Sequence, residues 1–71
     1  MTSGREITVN GLLRRCDAGS LSELLDELGH EHERGGIALA LNGDVIPRRA
    51  WDETRLSPGD AVEVVGAVQG G

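Results

Sequence analysis

The sequence predicts an α+β fold in which a mixed sheet of four to five strands packs on one helix. Two Asn-Gly pairs, Asn10-Gly11 and Asn42-Gly43, follow short alternating segments. Such pairs are typical of two-residue hairpin turns, because both turn positions accept positive φ. A single leucine stripe lies between the two hairpins, and a valine-rich segment at 62–65 supplies a further strand.

The first hairpin occupies the beginning of the chain. Residues 5–9 alternate in polarity, with Ile7 and Val9 on one face. We expect Asn10-Gly11 to turn the chain into a return strand at 12–16, which the Asp-Ala-Gly sequence at 17–19 then ends.

The helix follows. Ser20-Leu21-Ser22-Glu23 has the pattern of a capping box, in which the Ser20 side chain accepts from the Glu23 amide while Glu23 reaches back. Gly29 stands where a left-handed C-cap belongs. The apolar stripe consists of residues at i, i+3, i+4 and i+7, namely Leu21, Leu24, Leu25 and Leu28. A helix this short is unstable alone, so the stripe must pack on the sheet.

The second hairpin follows a polar loop at 29–36. Residues 37–41 form a strand with large side chains on one face and alanines on the other, and Asn42-Gly43 leads into Val45-Ile46. Pro47 has no amide to donate, so it confines that strand to an edge or ends it.

The last part of the chain returns to the sheet. Residues 48–54 are predicted to form a turn or a single helical turn, with Trp51 covering one end of the core. Pro58 and Gly59 take the central positions of a type II turn. A closing strand at 62–65, placed between the hairpins and parallel to the first strand, completes the β-grasp architecture of ubiquitin-like proteins. We expect a β-grasp domain at 1–66 and a flexible tail at 67–71.

Composition excludes several classes of function. The chain of 71 residues carries twelve acidic and seven basic residues, for a net charge of −5, which argues against a nucleic-acid partner. No apolar run is long enough for a membrane span, and we expect no membrane partner. The single cysteine, Cys16, suits a reducing cytoplasm.

No catalytic arrangement is evident. His30 and His32 lack further ligands at metal-site spacing, so we expect a solvated loop there and no metal. Cys16 has no adjacent base or helix N-terminus to activate it, which favours a structural role. Ser20 and Ser22 belong to the start of the helix.

The Gly70-Gly71 end has distinct chemical properties. It carries no Cβ atoms and can enter narrow clefts. The Gly71 carboxylate is unhindered, but nothing in this chain can activate it. If the tail carries chemistry, another protein performs the activation; the alternative is an uncommitted chain end.

One face of the sheet has small side chains. If the larger residues of the closing strands face the helix, Ala38, Ala40 and Val65 face outward beside the root of the tail. This surface is either an uncommitted sheet face or a docking face for the protein that takes the tail. Arg48 lies beyond Pro47 and is placed to pair with a carboxylate of that partner.

These residues together resemble the ThiS family, the ubiquitin-like sulfur carriers of bacterial thiamine thiazole synthesis. The resemblance covers 5–71, with one departure at the tail approach, where Gln69 precedes the glycine pair. Besides the leucine helix, it rests on Ile7-Thr8-Val9-Asn10-Gly11, Leu41-Asn42-Gly43, Val45-Ile46-Pro47-Arg48-Arg49-Ala50-Trp51, Pro58-Gly59-Asp60, Val62-Glu63-Val64-Val65 and Gly70-Gly71.

The resemblance implies a carrier that is a co-substrate rather than an enzyme, monomeric when free and with no bound cofactor. A ubiquitin-activating-type (ThiF-like) adenylating enzyme would use MgATP to adenylate Gly71, which Val68, Gln69 and Gly70 present. A cysteine desulfurase relay would convert it to a thiocarboxylate, and a ThiG-like thiazole synthase would receive the sulfur.

Two other functions stay open at this point. A MoaD-like carrier, serving molybdopterin or another sulfur metabolite, has the same fold and the same Gly-Gly end. The Pro47-Arg48 pair and Trp51 favour the thiamine branch. The second alternative is a β-grasp interaction module that binds a partner without carrying sulfur.

Overall fold

The predicted hairpins and helix form where the sequence places them. A computed structural model describes residues 4–29 and 36–66. Its elements are β1 (Arg5–Val9), β2 (Leu12–Cys16), α1 (Leu21–Leu28), β3 (Ile37–Leu41), β4 (Asp44–Ile46) and β5 (Ala61–Gly66).

The five strands form one mixed sheet in the order β2-β1-β5-β3-β4. β5 lies between the two hairpins, parallel to β1 and antiparallel to β3. This confirms the β-grasp fold and the predicted place of the closing strand. β4 is an edge strand that ends immediately before Pro47, as the missing amide of proline requires.

Both hairpin turns are held by an asparagine in the left-handed region. Asn10 has φ 53° and Gly11 φ 84°, and Asn42 has φ 52° and Gly43 φ 91°. Positive φ at both central positions is the property of a type I′ turn, which matches the twist of the flanking strands. The two turns set the registers Val9↔Leu12 and Leu41↔Asp44.

Helix α1 is capped at both ends. The Ser20 hydroxyl accepts from the Glu23 amide at 3.3 Å, as predicted. The Glu23 carboxylate reaches back to the amide of Gly19 at 2.7 Å, one residue before the N-cap. Gly29 adopts φ 83° and its amide donates to the last turn of the helix, which confirms the C-cap.

The core lies between α1 and one face of the sheet. Three leucines of the predicted stripe are fully buried, and Leu28 packs against them partly buried. The largest fully buried side chains are Ile7, Leu21, Leu24, Leu25, Leu39 and Val62. Since no disulfide is present in the described residues, this cluster supplies most of the stabilisation of the domain.

Trp51 closes the end of the core, as predicted. A single 3₁₀ turn at Arg48–Ala50 follows β4 and carries the chain to Trp51, which is buried. The indole Nε1 donates to the carbonyl oxygen of Ile46 at 2.9 Å, so its polar atom is satisfied.

The segment from 52 to 60 returns the chain to the middle of the sheet. Leu56 is buried and its amide donates to the carbonyl of Gly19 at 3.0 Å. Gly59 has φ 89°, and the Asp60 amide donates to the Ser57 carbonyl at 3.1 Å, which fits the predicted type II turn. β5 then begins beside β1.

Candidate functional site

The side of the sheet turned away from α1 carries the residues predicted to dock a partner. On β3, the buried residues Ile37 and Leu39 alternate with Ala38 and Ala40. On β5, Val65 lies directly opposite Ala38. The structure therefore brings Ala38, Ala40 and Val65 together on one outer face.

This face contains a larger apolar surface than the sequence analysis identified. Val45 lies opposite Ala40 and is 75% exposed, and Val65 is 60% exposed. The apolar patch thus consists of Ala38, Ala40, Val45 and Val65 across three strands. The two-residue turn at Asn42-Gly43 fixes Val45 opposite Ala40, so hairpin register was the signal that could have revealed it.

Charged side chains border the apolar patch. Glu63 lies opposite Ala40 on β5 and is exposed. On the same face, Glu6 of β1 and Arg15 of β2 form an ion pair at 3.5 Å. An exposed pair of this kind contributes little to stability. The outer face therefore has an apolar centre with the acidic residue Glu63 beside it.

Arg48 begins the 3₁₀ turn beyond β4, and its side chain is exposed. The position after Pro47 places it at the same end of the sheet as Gly66, because β4 and β5 run in the same direction. A role for Arg48 in pairing with a partner carboxylate stays a prediction.

The root of the tail lies at the end of β5. Gly66 is the last described residue, is exposed and lies opposite Ile37. The β1–β2 turn lies at the same end, since the Asn10 side chain contacts the backbone of Val64. The predicted tail residues Val68, Gln69, Gly70 and Gly71 are outside the described residues, as are His30 and His32.

A groove of about 320 Å³ lies on the other side of the first hairpin, at the end of α1. Six residues line it, and these are Val9, Asn10, Leu12, Leu13, Arg14 and Leu28. Leu12 and Leu13 are more than two thirds exposed. Neither residue has a role predicted from the sequence.

The described residues contain no arrangement of catalytic side chains that the sequence analysis missed. Cys16 is free and buried. The Ser22 hydroxyl donates to the Asp52 carboxylate, and Ser20 caps α1, so both serines have structural partners. Within 4–29 and 36–66, no three His, Cys, Asp or Glu side chains are grouped to hold a metal ion. No helix in these ranges is long and apolar enough to cross a membrane.

Comparison with known proteins identifies the family. The model of the ThiS family matches residues 7–71. A similar curated relative is the sulfur carrier protein ThiS of Escherichia coli (strain K12), 31% identical, with 93% of this chain and 98% of that protein covered. The sulfur carrier protein ThiS of Thermus thermophilus is 35% identical, with 92% and 98% covered.

Solved structures agree with these relatives. The crystal structure of the thiamine biosynthesis protein ThiS from Geobacter metallireducens is 35% identical and superposes with a TM-score of 0.78, covering 93% of this chain and 99% of that one. The solution structure of a thiamine biosynthesis protein from the same organism gives a TM-score of 0.75, with 93% and 87% covered. The chain belongs to the ThiS family.

Proposed function

We propose that this protein is a sulfur carrier whose last residue, Gly71, is adenylated and then converted to a thiocarboxylate. The observation that supports this most strongly is the family match, which extends from β1 through the Gly70-Gly71 pair. The fold supports it too, because the strand that carries Val65 of the apolar patch runs directly toward the tail.

In this chemistry the C-terminal tail reacts, and the folded domain is the part that the partner enzyme binds. An oxygen of the Gly71 carboxylate attacks the α-phosphorus of ATP, and pyrophosphate leaves. A sulfur nucleophile then attacks the acyl carbon, and AMP leaves with the former carboxylate oxygen. With sulfide as the nucleophile, the product is the thiocarboxylate directly. Both steps belong to the partner enzyme, which binds MgATP, so this chain acts as its co-substrate.

The apolar patch is the docking surface in this proposal. A ubiquitin-activating-type (ThiF-like) adenylating enzyme covers Ala38, Ala40, Val45 and Val65 and receives the tail in an adjoining cleft. Small side chains suit this role, since they let a partner approach the sheet closely. Arg48, at the tail end of the sheet, pairs with an acidic group of the partner.

The sulfur is delivered to thiamine thiazole synthesis. The relatives support this branch through their names, because the E. coli and T. thermophilus proteins are called ThiS and the G. metallireducens structures are described as thiamine biosynthesis proteins. The receiving partner in this proposal is a ThiG-like thiazole synthase, and a cysteine desulfurase relay supplies the sulfur.

The test is the intact mass of the protein after incubation with MgATP, sulfide and a thiamine-type adenylating enzyme. We expect a gain equal to the mass difference between sulfur and oxygen, and fragmentation that assigns it to Gly71. A parallel reaction without ATP is the control, because nucleophilic attack on an unactivated carboxylate does not proceed.

The same experiment separates the alternatives. Loading by a molybdopterin-type adenylating enzyme and not by the thiamine-type enzyme would move the protein to the MoaD-like branch. A folded sample ending at Gly71 that neither enzyme loads would identify an interaction module instead of a carrier.

A further inference from the structure

The side chain of Asn10, in the first hairpin turn, is bonded to the last strand 54 residues later in the chain. Its Oδ1 accepts from the Val64 amide at 2.8 Å, and its Nδ2 donates to the Val64 carbonyl at 3.2 Å. The side-chain amide of Asn10 thus forms hydrogen bonds with both the backbone N–H and the backbone carbonyl of Val64. Val64 lies two positions before Gly66, the last residue of β5.

The two bonds continue the β1–β5 ladder after β1 has ended. The Thr8 amide donates to the Asp60 carbonyl at 3.0 Å, and the Asn10 amide donates to the Val62 carbonyl at 2.8 Å. A parallel ladder advances by two residues on each strand, so its next bonds would join Val64 to the carbonyl of residue 10 and the amide of residue 12.

The turn removes both of those backbone groups from the ladder. Asn10 adopts φ 53°, and the chain reverses into β2, whose pairing with β1 begins at Val9↔Leu12. The side-chain amide of Asn10 takes their place, since its oxygen substitutes for the carbonyl and its NH₂ group for the amide. Asparagine suits this position for two reasons. It tolerates the left-handed backbone conformation, and its side-chain amide has the same hydrogen-bond acceptor and donor groups as a peptide group.

We propose that Asn10 is a positioning residue for the tail: the β3 pairing, which reaches Ile37↔Gly66, holds one side of the end of β5, and Asn10 holds the other. This inference rests on the proposed function, and it deepens that function by naming a residue that fixes the tail root, Gly66, relative to the docking face. Val65, of the apolar patch, directly follows the residue that Asn10 holds. The docking face and the tail root are thereby held in one fixed relation.

The second hairpin supplies a matched control. Asn42 occupies the same position of the same kind of turn, with φ 52° followed by Gly43. Its Oδ1 accepts from the Ala61 amide at 2.9 Å, and its Nδ2 donates to the Asp60 carboxylate at 3.1 Å. It therefore holds the start of β5, at the opposite end from the tail root. Loss of either side chain removes two hydrogen bonds, but only the loss of Asn10 removes them near the tail.

The experiment compares Asn10→Gly with Asn42→Gly in the full chain. Glycine accepts positive φ, so both substitutions keep their turns and remove only the side chain. Amide hydrogen exchange of ¹⁵N-labelled protein measures whether Val64 has lost its bond. Adenylation by the thiamine-type enzyme, followed as pyrophosphate release against carrier concentration, gives kcat and KM.

For Asn10→Gly we expect faster Val64 exchange by about tenfold or more. We also expect kcat lower by about tenfold and KM within about twofold of the parent, because the docking face is intact while the tail is misplaced. Asn42→Gly keeps both constants within about twofold of the parent. Asn10→Asp retains the acceptor for the Val64 amide and gives an intermediate kcat.

Three outcomes would overturn the inference. Unchanged Val64 exchange in Asn10→Gly would show that the side chain does not hold β5. Equal kcat losses in Asn10→Gly and Asn42→Gly would show a general effect of stability. If the parent itself is not adenylated, the proposed function fails, and with it this role for Asn10. That result is distinct from the first two, in which the parent is active.

Discussion

Ala38 on β3 and Val65 on β5 lie directly opposite each other on the face of the sheet that α1 leaves uncovered. The pair joins two parts of the proposed function. Val65 immediately precedes Gly66 at the tail root, and Ala38 is too small to obstruct a partner that approaches there. A protein docked on this pair is therefore within reach of the tail.

Replacing Val65 with aspartate should weaken binding of the adenylating enzyme. The variant places an unpaired carboxylate in the interface, and we expect the Kd to rise by about tenfold to a hundredfold, or about 1.4–2.7 kcal/mol. Leu12→Asp is the matched control, because it changes an exposed aliphatic residue on the helix side of the first hairpin. Titration calorimetry gives both constants. An unchanged Kd for Val65→Asp would place the interface outside the apolar patch, and equal weakening by the two variants would show a general effect of the added charge.

Truncation of the α1 stripe should remove much of the stability of the domain. Leu24 and Leu25 are completely buried, so we expect Leu24→Ala and Leu25→Ala each to cost about 2–5 kcal/mol of unfolding free energy. Leu28→Ala should cost less, because Leu28 is only partly buried. Urea unfolding measured by circular dichroism gives the values. A cost for Leu28→Ala equal to the other two would contradict the packing described above.

The indole of Trp51 should contribute a hydrogen bond as well as volume. Trp51→Phe leaves the Ile46 carbonyl without this donor, and we expect a loss of about 1–3 kcal/mol. Trp51→Ala also opens a cavity and should cost about 3–5 kcal/mol. Since Trp51 is the only aromatic residue, its fluorescence follows unfolding of the parent, and circular dichroism serves the variants. Equal costs for the two variants would mean that the lost ring volume is unimportant.

Cys16 should be dispensable for sulfur loading. Its thiol is buried in the core, away from the tail root, since β2 begins at the turn beside Val64 and ends at Cys16. We expect Cys16→Ala to load sulfur as the parent does, with a stability cost of about 1 kcal/mol. Intact mass after the loading reaction is the measurement. Loss of loading in a folded variant would transfer the sulfur chemistry from Gly71 to this thiol.

Local patterns predicted most of this fold. The Asn-Gly pairs set two hairpin registers, the leucine spacing defined the buried face of α1, and Ser20 marked its beginning. Each of these features depends on residues close together in the chain. The same registers contain the information that places Val45 on the outer face.

Local sequence patterns could not predict the hydrogen bonds between Asn10 and Val64. The Asn-Gly pair explains the backbone of Asn10 fully through its turn, so nothing nearby indicates a second function for the side chain. The partner lies 54 residues away and becomes a neighbour only when β5 is inserted beside β1.

In the proposed mechanism, Gly71 carries the sulfur and the folded domain binds the partner enzyme. The most direct test of this mechanism is the loading reaction carried out on the parent, on a chain lacking Gly71 and on a chain with alanine added after Gly71. We predict a sulfur-for-oxygen mass gain on Gly71 of the parent and none on the two variants, with all three giving the same melting curve. Sulfur loading of the chain that lacks Gly71 would contradict the mechanism.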